Sequence, residues 1–495
     1  MSSGVPSAAH IARGPSTAMR TPPASHILPT KHPCLLSSRS LRSGFVTEIA
    51  AQTQVALSRI VAERQSKGRV PGVVGAVARA GSLAWSAGIG SADLEKPGVP
   101  PTADTQFLIA SQSKTLTAVA IMALRDEGKL SLDDTIEKLI PDSTHEGITV
   151  RQMLSHASGM QREPVGDVWD LMKFPSREEL VPGWNAAERI GKPHHRFHYS
   201  NLVFSLLGEI VARLDGRSWY DAVKARILDP LEMRRTTVGM DGGPAQTGYY
   251  VPPWSDVPVR EPLLDIGAMD ACGGLASTAE DLAKWAMFVA NPVDEVLSKD
   301  TLDEMCHVQI MADVDRWQLA FGLGFMLLRR GDRLFVGHDG GMPGHITSTF
   351  VDRSSGTAGI ALFGSTSSPA PSALATDLII KVLEDDPLPP QAWVPGTSVP
   401  DELSGVLGTW FSEGSPFVFS VKQGVLEAKS PAAAEYQSPA VFERLSEDVY
   451  RTVSGRETGE LLRITRDPAG HPTKLHWATY LCTREPLSFG ELSGV

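Results

Sequence analysis

The first part of the chain alternates between helical and strand-like spacing of its hydrophobic residues. Apolar side chains recur at helical intervals over residues 49–61, which predicts a first helix that ends before Gly68. Two apolar runs then follow at Val70–Arg79 and Leu83–Gly88, and the short break between them predicts a β-hairpin. A longer helical pattern covers Ser113–Glu127. The sequence therefore predicts a helix, two paired strands and a second helix in this order.

The middle of the chain is helical, and strands return after it. Residues 130–262 read as helices and loops, with amphipathic segments at Leu202–Leu214 and Trp219–Leu228. Four strand-like runs come later, at Gly322–Leu328, Leu334–Val336, Ser348–Val351 and Gly359–Phe363. Short intervals separate them, which predicts antiparallel neighbours. The fold class is therefore α+β: an antiparallel sheet flanked by helices, with an inserted mostly helical lobe at about 130–262.

Both ends of the chain differ from this central part. Prolines crowd residues 385–402 and predict a stiff linker, and residues 403–495 carry short alternating runs that predict a small β-barrel or meander domain. Residues 1–44 are rich in Arg, Ser and Pro and contain no Asp or Glu. This composition favours a disordered segment or a misassigned start, with a targeting leader as the alternative.

Charge and composition exclude several classes of protein. The 495 residues carry a formal net charge of -11, so the basic surface that nucleic acid requires is missing and no nucleic-acid partner is expected. No apolar run reaches the ~18 residues of a membrane span. The four cysteines are scattered without a CxxC or Cys/His cluster, so no disulfide framework, metal or other cofactor is predicted. Because no secretory signal is readable, we expect a cytoplasmic protein whose oligomeric state remains undetermined by the sequence.

The candidate chemistry begins with the one Ser-x-x-Lys in the chain, Ser111 and Lys114, at the start of the second long helix. Residues three apart on a helix share a face, so the lysine nitrogen is expected beside the serine hydroxyl. The N-terminus of a helix adds positive partial charge for a developing oxyanion. A buried lysine that loses its charge would serve as a general base. The pair predicts a nucleophilic serine.

Two further motifs lie downstream. Tyr199 and Asn201 form the one Tyr-x-Asn, a phenol able to relay a proton and an amide able to hold a substrate carbonyl. The run from Val336 to Gly341 ends a strand in a glycine pair, where a substrate can approach the backbone closely.

In this order the three motifs resemble the serine β-lactamase and penicillin-recognising family, in particular its class C β-lactamase, D-alanyl-D-alanine carboxypeptidase and esterase branch. Supporting stretches begin at Met153, Asp229 and Gly273. The resemblance covers about residues 45–384, and the β domain matches only loosely the lipocalin-like extensions of some members. It implies a β-lactamase/transpeptidase-like fold and an acyl-enzyme mechanism.

The resemblance also implies a role for each motif residue. Ser111 would be the nucleophile, Lys114 its proton acceptor and Tyr199 the acid/base partner. The substrate would contact Asn201, His338 and Gly340. The oxyanion hole would consist of the backbone N–H groups of Ser111 and Gly341.

The sequence departs from antibiotic-hydrolysing members at His338 and Asp339, where they carry a lysine followed by Thr or Ser. Histidine is mostly neutral at pH 7, and the adjacent aspartate disfavours an anionic substrate unless strand alternation turns it away. We therefore expect a small ester or amide substrate without an essential carboxylate. Acyl transfer at the same site, carboxypeptidase or β-lactamase activity, and a non-catalytic binding role remain alternatives.

Two histidine features allow other interpretations. His194, His195 and His198 could form a metal cluster, but a polar rim of the cleft is favoured because no matching acidic or cysteine partner is evident. His156 could be a base, but a buried, hydrogen-bonded histidine is favoured. The GxSxG elbow of α/β-hydrolases does not occur.

Overall fold

The computed structural model describes residues 48–367, 370–389, 392–396 and 398–492. The predicted leader at residues 1–44 lies outside them, as does Cys34. The chain divides into two compact units after Pro387, inside the predicted proline-rich segment. We refer to described residues up to Pro387 as the sheet unit and to those from Leu388 onward as the barrel unit.

The sheet unit is built on an antiparallel sheet. Its strands in chain order are β1 (Gly72–Arg79), β2 (Ser82–Gly90), β3 (Phe107–Leu108), β4 (Thr237–Val238), β5 (Tyr249–Tyr250), β6 (Val259–Arg260), β7 (Leu275–Ser277), β8 (Ile310–Met311), β9 (Leu319–Phe321), β10 (Met326–Arg330), β11 (Arg333–Met342), β12 (His345–Asp352) and β13 (Thr357–Phe363). Eight strands form the main sheet in the order β2-β1-β13-β12-β11-β10-β9-β8, while β3, β7 and β4 form a small second sheet and β5 pairs with β6. The predicted antiparallel sheet is confirmed.

Helices cover both faces of this sheet. They are α1 (Ala51–Gly68), α2 (Ser113–Asp126), α3 (Ile136–Leu139), α4 (Val150–Leu154), α5 (Val168–Leu171), α6 (Arg177–Ala186), α7 (Asn201–Asp215), α8 (Trp219–Val223), α9 (Asp270–Gly273), α10 (Ala279–Ala290), α11 (Lys299–Met305) and α12 (Pro371–Asp385). Helices α3 to α8 occupy the predicted helical lobe, as expected. The predicted helix at Trp219–Leu228 is split, because its second half, Lys224–Leu228, is a π-helix.

Strand β1 illustrates how the sheet divides two cores. Its Val73 and Val77 pack with α1 and α12, whereas Val74 and Ala76 belong to the larger core on the opposite face. Successive side chains of a strand point to opposite faces, so a fully apolar strand predicts burial on both sides. All eight residues of β1 are buried, in agreement with that pattern.

One strand prediction was wrong. The run Gly322–Leu328 was predicted as one strand, but only its last three residues lie in β10, and Gly322 to Phe325 form the connection from β9. Gly324 has φ +84°, and a Cβ at this position would lie 2.2 Å from the Cβ of Ala118. Its N–H donates to the carbonyl of Leu154 instead of to a neighbouring strand. Tertiary contact with α2 and α4 therefore replaced the strand that local hydrophobicity favoured.

The barrel unit is a closed barrel of eight strands. They are β14 (Gly408–Ser412), β15 (Ser415–Lys422), β16 (Val425–Lys429), β17 (Ala440–Ser446), β18 (Val449–Ser454), β19 (Leu461–Arg466), β20 (Pro472–Trp477) and β21 (Tyr480–Thr483), followed by α13 (Phe489–Leu492). Apolar and aromatic residues such as Trp410, Phe419 and Trp477 fill its core. The sequence left a barrel and a meander as alternatives for this domain, and the structure shows a closed barrel.

Candidate active site

Ser111 lies in a short 3-10 turn, Ala110–Gln112, that leads directly into α2. Ala110 has φ +49°, a left-handed conformation that costs a non-glycine residue on the order of 1 kcal/mol. The turn is held in place by Gln112, whose Nε2 donates to Oγ1 of Thr347 on β12 at 2.8 Å. The half-buried Ser111 is thus presented on a constrained bend rather than on a regular helical turn.

Lys114 is fully buried and its Nζ contacts three oxygen atoms. It lies 3.1 Å from Oγ of Ser111, 2.8 Å from Oδ1 of Asn201 and 2.7 Å from the carbonyl oxygen of Cys272. An ammonium group has three donors, so each donor has one acceptor here. The structure therefore brings together the serine and the lysine that the sequence paired, and it adds two acceptors from α7 and α9.

Asn201 is the first residue of α7, and Ser200 caps that helix by accepting a hydrogen bond from the N–H of Val203. While its Oδ1 accepts from Lys114, its Nδ2 donates to Oε1 of Glu163 at 2.6 Å. Both ends of the amide are therefore occupied within the protein. The predicted contact of this amide with substrate remains a prediction.

Tyr199 lies above the lysine, with its ring centroid 4.9 Å from Nζ of Lys114. The buried ring of His156 stacks on it, with centroids 4.1 Å apart and planes inclined by 26°. The Nδ1 of His156 accepts from the N–H of Ser200 at 3.1 Å. Burial, followed by the charge of Lys114, holds the pKa of His156 well below its ordinary value. A neutral, hydrogen-bonded His156 thus supports the tyrosine loop, in agreement with the interpretation favoured from the sequence.

Strand β11 carries the third motif along the other side of the site. His338 is buried, and its ring centroid lies 6.1 Å from that of Tyr199. Burial and the positive charge of Lys114 lower the pKa of His338 to about 3, although its hydrogen bond with the carbonyl of Asp339 opposes the shift. This position therefore supplies no positive charge at neutral pH.

Asp339 and Gly340 have structural explanations of their own. Asp339 faces the side of the sheet opposite to His338, as strand alternation requires, and burial raises its pKa to about 6. At Gly340 a Cβ would lie 2.0 Å from the carbonyl oxygen of Ile109, so only glycine lets β11 pack against the segment that enters Ser111. Gly340 thus determines how closely the strand approaches the serine, and its contact with substrate remains a prediction.

A narrow pocket of about 30 Å³ opens at Ser111. No residue that lines it carries a charged side chain; the lining comprises Ala110, Ser111, Trp169, Phe174, Asn201, Ile266, Met269, Cys272, Gly273, Gly341 and Met342. Ser111 and Gly341, whose backbone N–H groups form the predicted oxyanion hole, line the same pocket. In this structure the pocket is therefore far smaller than typical small-molecule sites, which measure about 300–1,000 Å³.

A wider open cleft lies elsewhere in the sheet unit. It is lined by ion pairs, among them Arg333 with Asp352 and Arg353 with Asp303. Cys306 also lines it, but burial raises the pKa of that thiol to about 11, which is unsuited to a nucleophile. The chemistry that the motifs predict is therefore concentrated at the smaller pocket.

Sequence reasoning missed Glu163, the carbonyl of Cys272 and the aromatic wall formed by Trp169 and Phe174. Neither a backbone carbonyl nor a lone acidic residue has a motif. A weak signal existed for the wall, because several bulky apolar residues occur close together in the segment 165–174, which contains the short helix α5. The structure unites these residues only through tertiary folding.

The three histidines considered for a metal lie near the tyrosine loop, with His194 and His195 exposed and His198 half-buried. Across residues 48–367, 370–389, 392–396 and 398–492, no group of three or more His, Cys, Asp or Glu side chains is arranged to hold a metal ion. Within the same part of the chain, none of the helices is both long and apolar enough to cross a bilayer.

Known proteins resemble both units. The family model named Beta-lactamase matches residues 57–384, and one named Domain of unknown function (DUF7586) matches residues 399–484. Beta-lactamase-like protein 2 of Dictyostelium discoideum is 30% identical over 246 residues, which are 47% of this chain and 45% of that protein. The chain spans about half the length of the curated relatives it matches.

Two solved structures extend the comparison. The octameric penicillin-binding protein homologue from Pyrococcus abyssi has a TM-score of 0.61 at 24% identity, over 87% of this chain and 99% of that one. The D-amino acid amidase from Ochrobactrum anthropi SV3, complexed with D-phenylalanine, has a TM-score of 0.58 at 25% identity, over 68% of this chain and 98% of that one. The first similarity concerns the fold alone. Because the Beta-lactamase model matches well over half of the residues, this chain belongs to the Beta-lactamase family of serine hydrolases.

Proposed function

We propose that this protein hydrolyses small esters or amides through an acyl-enzyme on Ser111. The observation that carries the proposal is the 3.1 Å contact between Nζ of the buried Lys114 and Oγ of Ser111, at the end of a pocket that Gly341 also lines. A nucleophile within hydrogen-bonding distance of a base is the arrangement that covalent catalysis requires.

The neighbours of Lys114 support its role as a base. In its neutral form an amine has two N–H donors and one lone pair. The carbonyls of Asn201 and Cys272 can only accept, whereas the hydroxyl of Ser111 can also donate. The two N–H groups are therefore taken by the carbonyls, and the lone pair is directed at the serine proton. This surrounding orients the base before any substrate binds.

The proposed reaction has two halves. Oγ of Ser111 bonds to the substrate carbonyl carbon while its proton passes to Nζ of Lys114, and the resulting oxyanion is held by the N–H groups of Ser111 and Gly341. The tetrahedral intermediate then expels the alcohol or amine, which takes up a proton through Tyr199. Water next adds to the acyl-enzyme, a carboxylic acid is released, and Ser111 recovers its proton.

The pocket favours an uncharged acyl group. Its wall of aromatic, aliphatic and thioether side chains offers neither a cation for a carboxylate nor an anion for an ammonium. His338 is neutral at pH 7 because burial lowers its pKa, so it does not replace the missing cation. An amidase activity also has a precedent in the similar Ochrobactrum anthropi enzyme. We therefore assign the protein to small ester or amide substrates with apolar acyl groups rather than to carboxylate-bearing antibiotics.

Intact-protein mass spectrometry tests the proposal. Wild type, Ser111→Ala and the matched surface variant Ser82→Ala are each incubated with p-nitrophenyl acetate, butyrate and phenylacetate, phenylalanine amide and a chromogenic cephalosporin. We expect wild type and Ser82→Ala to gain the mass of the acyl group from the esters, and Ser111→Ala to gain none. Failure of wild type both to be labelled by and to hydrolyse every one of these substrates would refute the hydrolase, and efficient cephalosporin turnover beside poor ester turnover would refute the substrate class. Faster product formation with an added alcohol would identify acyl transfer instead.

A further inference from the structure

The amide of Asn201 lies between two groups of opposite hydrogen-bonding character. On one side the carboxylate of Glu163 receives its Nδ2 at 2.6 Å, and on the other the Nζ of Lys114 donates to its Oδ1 at 2.8 Å. An ionised carboxylate only accepts and an ammonium only donates. A flipped amide would place two acceptors face to face at Glu163, and its NH₂ would either oppose an ammonium at Lys114 or occupy the lone pair of the neutral amine. One orientation of Asn201 is therefore satisfied at both ends.

The carboxylate is attached to a segment that is bound to the start of α7. The carbonyl of Arg162 accepts from the N–H of Asn201 at 2.7 Å, and that of Gln161 accepts from Oγ of Ser200 at 2.7 Å. These bonds fix the backbone next to Glu163, so the carboxylate is already in position beside Asn201 before substrate binds. Arg162 also pairs with Glu163 at 3.4 Å.

We propose that Glu163 is a positioning residue of the acylation step: it fixes the orientation of the Asn201 amide and, through it, the direction of the Lys114 lone pair toward Ser111. The proposal rests on the hydrolase function proposed above. It assigns to Glu163 no contact with substrate and no proton transfer. A single chain of hydrogen bonds, Glu163 to Asn201 to Lys114 to Ser111, carries the effect.

The variant Glu163→Gln keeps the size of the side chain but removes the preference for one orientation of the Asn201 amide. A glutamine can offer either its oxygen or its nitrogen to Asn201, so both orientations can be hydrogen-bonded. The hydrogen bond between the charged Glu163 and Asn201 stabilises the productive amide orientation. Because a bond of this kind is stronger than one between neutral groups, we expect its loss to lower the acylation rate about 10- to 100-fold. The variant Glu163→Asp retains an acceptor-only group and should recover part of that rate. Glu188→Gln, the same change on an exposed residue, is the matched control and should leave the rate unchanged.

A double-mutant cycle separates positioning from general damage. If Glu163 acts through Asn201, adding Glu163→Gln to Asn201→Ala should change the acylation rate less than twofold, because the intermediary is already absent. We also expect the acid limb of the pH–rate profile of Glu163→Gln to shift to lower pH, because the substitution removes a negative charge from the series of hydrogen bonds that ends at Lys114. The substitution leaves unaltered the other titratable or charged groups around that amine, which are Tyr199, His156, His338, Cys272 and, over the Tyr199 ring, Arg162.

Side-chain amide NMR of protein labelled with ¹⁵N-asparagine provides a readout that does not need turnover. In wild type the Asn201 NH₂ signal should be shifted by the carboxylate and protected from solvent exchange, and in Glu163→Gln both properties should be lost. An unchanged signal, or additive rate losses in the cycle, would overturn the positioning role. Absence of acylation in wild type would refute the proposed function instead, while the NMR result would still decide whether Glu163 orients the amide.

Discussion

The sheet unit and the barrel unit treat buried polar atoms differently. Over the residues that the structure describes, every buried side-chain nitrogen or oxygen without a hydrogen-bond partner belongs to the sheet unit, and the set includes Nε2 of His338 and both ring nitrogens of His345. In the barrel, by contrast, the buried indole N–H of Trp410 donates to the carbonyl of Val406 and that of Trp477 to Oγ1 of Thr452. Unsatisfied buried groups lower stability, and besides His338 one of them, Oε2 of Glu163, lies at the candidate site.

Backbone conformation shows the same contrast. Ala110, beside the nucleophile, and His156, beneath Tyr199, both have positive φ, at +49° and +57°. In the barrel, the residues with positive φ, such as Gln423 and Asp448, occur between strands, where hairpin turns need that conformation. In the sheet unit positive φ therefore occurs at the candidate site as well as in ordinary turns, such as Ala80 between β1 and β2, whereas the barrel residues with positive φ lie in turns between strands.

The largest effect should come from the buried base. Lys114→Met should lower the rate of Ser111 acylation by about 10²- to 10⁴-fold, because general base assistance is lost. Stopped-flow acylation by a p-nitrophenyl ester measures it, with circular dichroism to verify folding. A folded variant that retained more than a tenth of the wild-type rate would mean that Lys114 is not the base.

Truncating the barrel core should affect stability rather than chemistry. Trp410 is fully buried, so Trp410→Ala should destabilise the barrel by about 3–5 kcal/mol. Calorimetry should show the loss, while acylation of the folded protein stays near wild type. Tyr436→Ala, at a side chain that is 87% exposed, is the matched control and should change stability by no more than about 0.5 kcal/mol. A large fall in the acylation rate of folded Trp410→Ala would contradict this separation of roles.

Acid should destabilise the sheet unit through its buried histidines. Burial lowers the pKa of His345 to about 3, so below the ordinary value near 6.5 the unfolded chain binds a proton that the folded protein does not. The stabilising contribution is complete above that value and is lost as the pH falls from about 6.5 toward about 3.

His345→Leu should therefore flatten the fall in unfolding free energy over that range by up to about 1.4 kcal/mol per pH unit. Urea unfolding at several pH values measures the slope. His195→Leu, at an exposed histidine, should leave the slope as in wild type. An equal slope in wild type and His345→Leu would show that the ring is protonated in the folded state.

The smallest effect concerns the strained turn. In Ala110→Gly, relief of the left-handed conformation and the added freedom of the unfolded chain each amount to about 1 kcal/mol and should nearly cancel. Ala123→Gly, within helix α2, should destabilise the protein by about 1 kcal/mol. Equal losses in chemical denaturation would show that Ala110 is not strained.

Sequence patterns predicted the elements well where hydrophobic spacing and local chemistry agree. The sequence predicted the hairpin of β1 and β2, the helix α2 and the later strands close to their observed positions. It could do so because the spacing of apolar residues reflects which side chains are buried. The exception, Gly322–Leu328, failed because Gly324 is needed for contact with α2 and not for a strand. Local propensity cannot report such a distant neighbour.

By itself the sequence determined the family, the α+β fold and the pairing of Ser111 with Lys114, since a motif on one helical turn needs no long-range information. Only the tertiary structure decided what surrounds that pair: the carbonyl of Cys272, the carboxylate of Glu163 behind Asn201, and the uncharged pocket. These groups come from separate elements, and backbone oxygens and lone side chains leave no periodic trace in a sequence. The nucleophile is therefore readable from the chain, whereas the orientation of its base and the character of its substrate depend on folding.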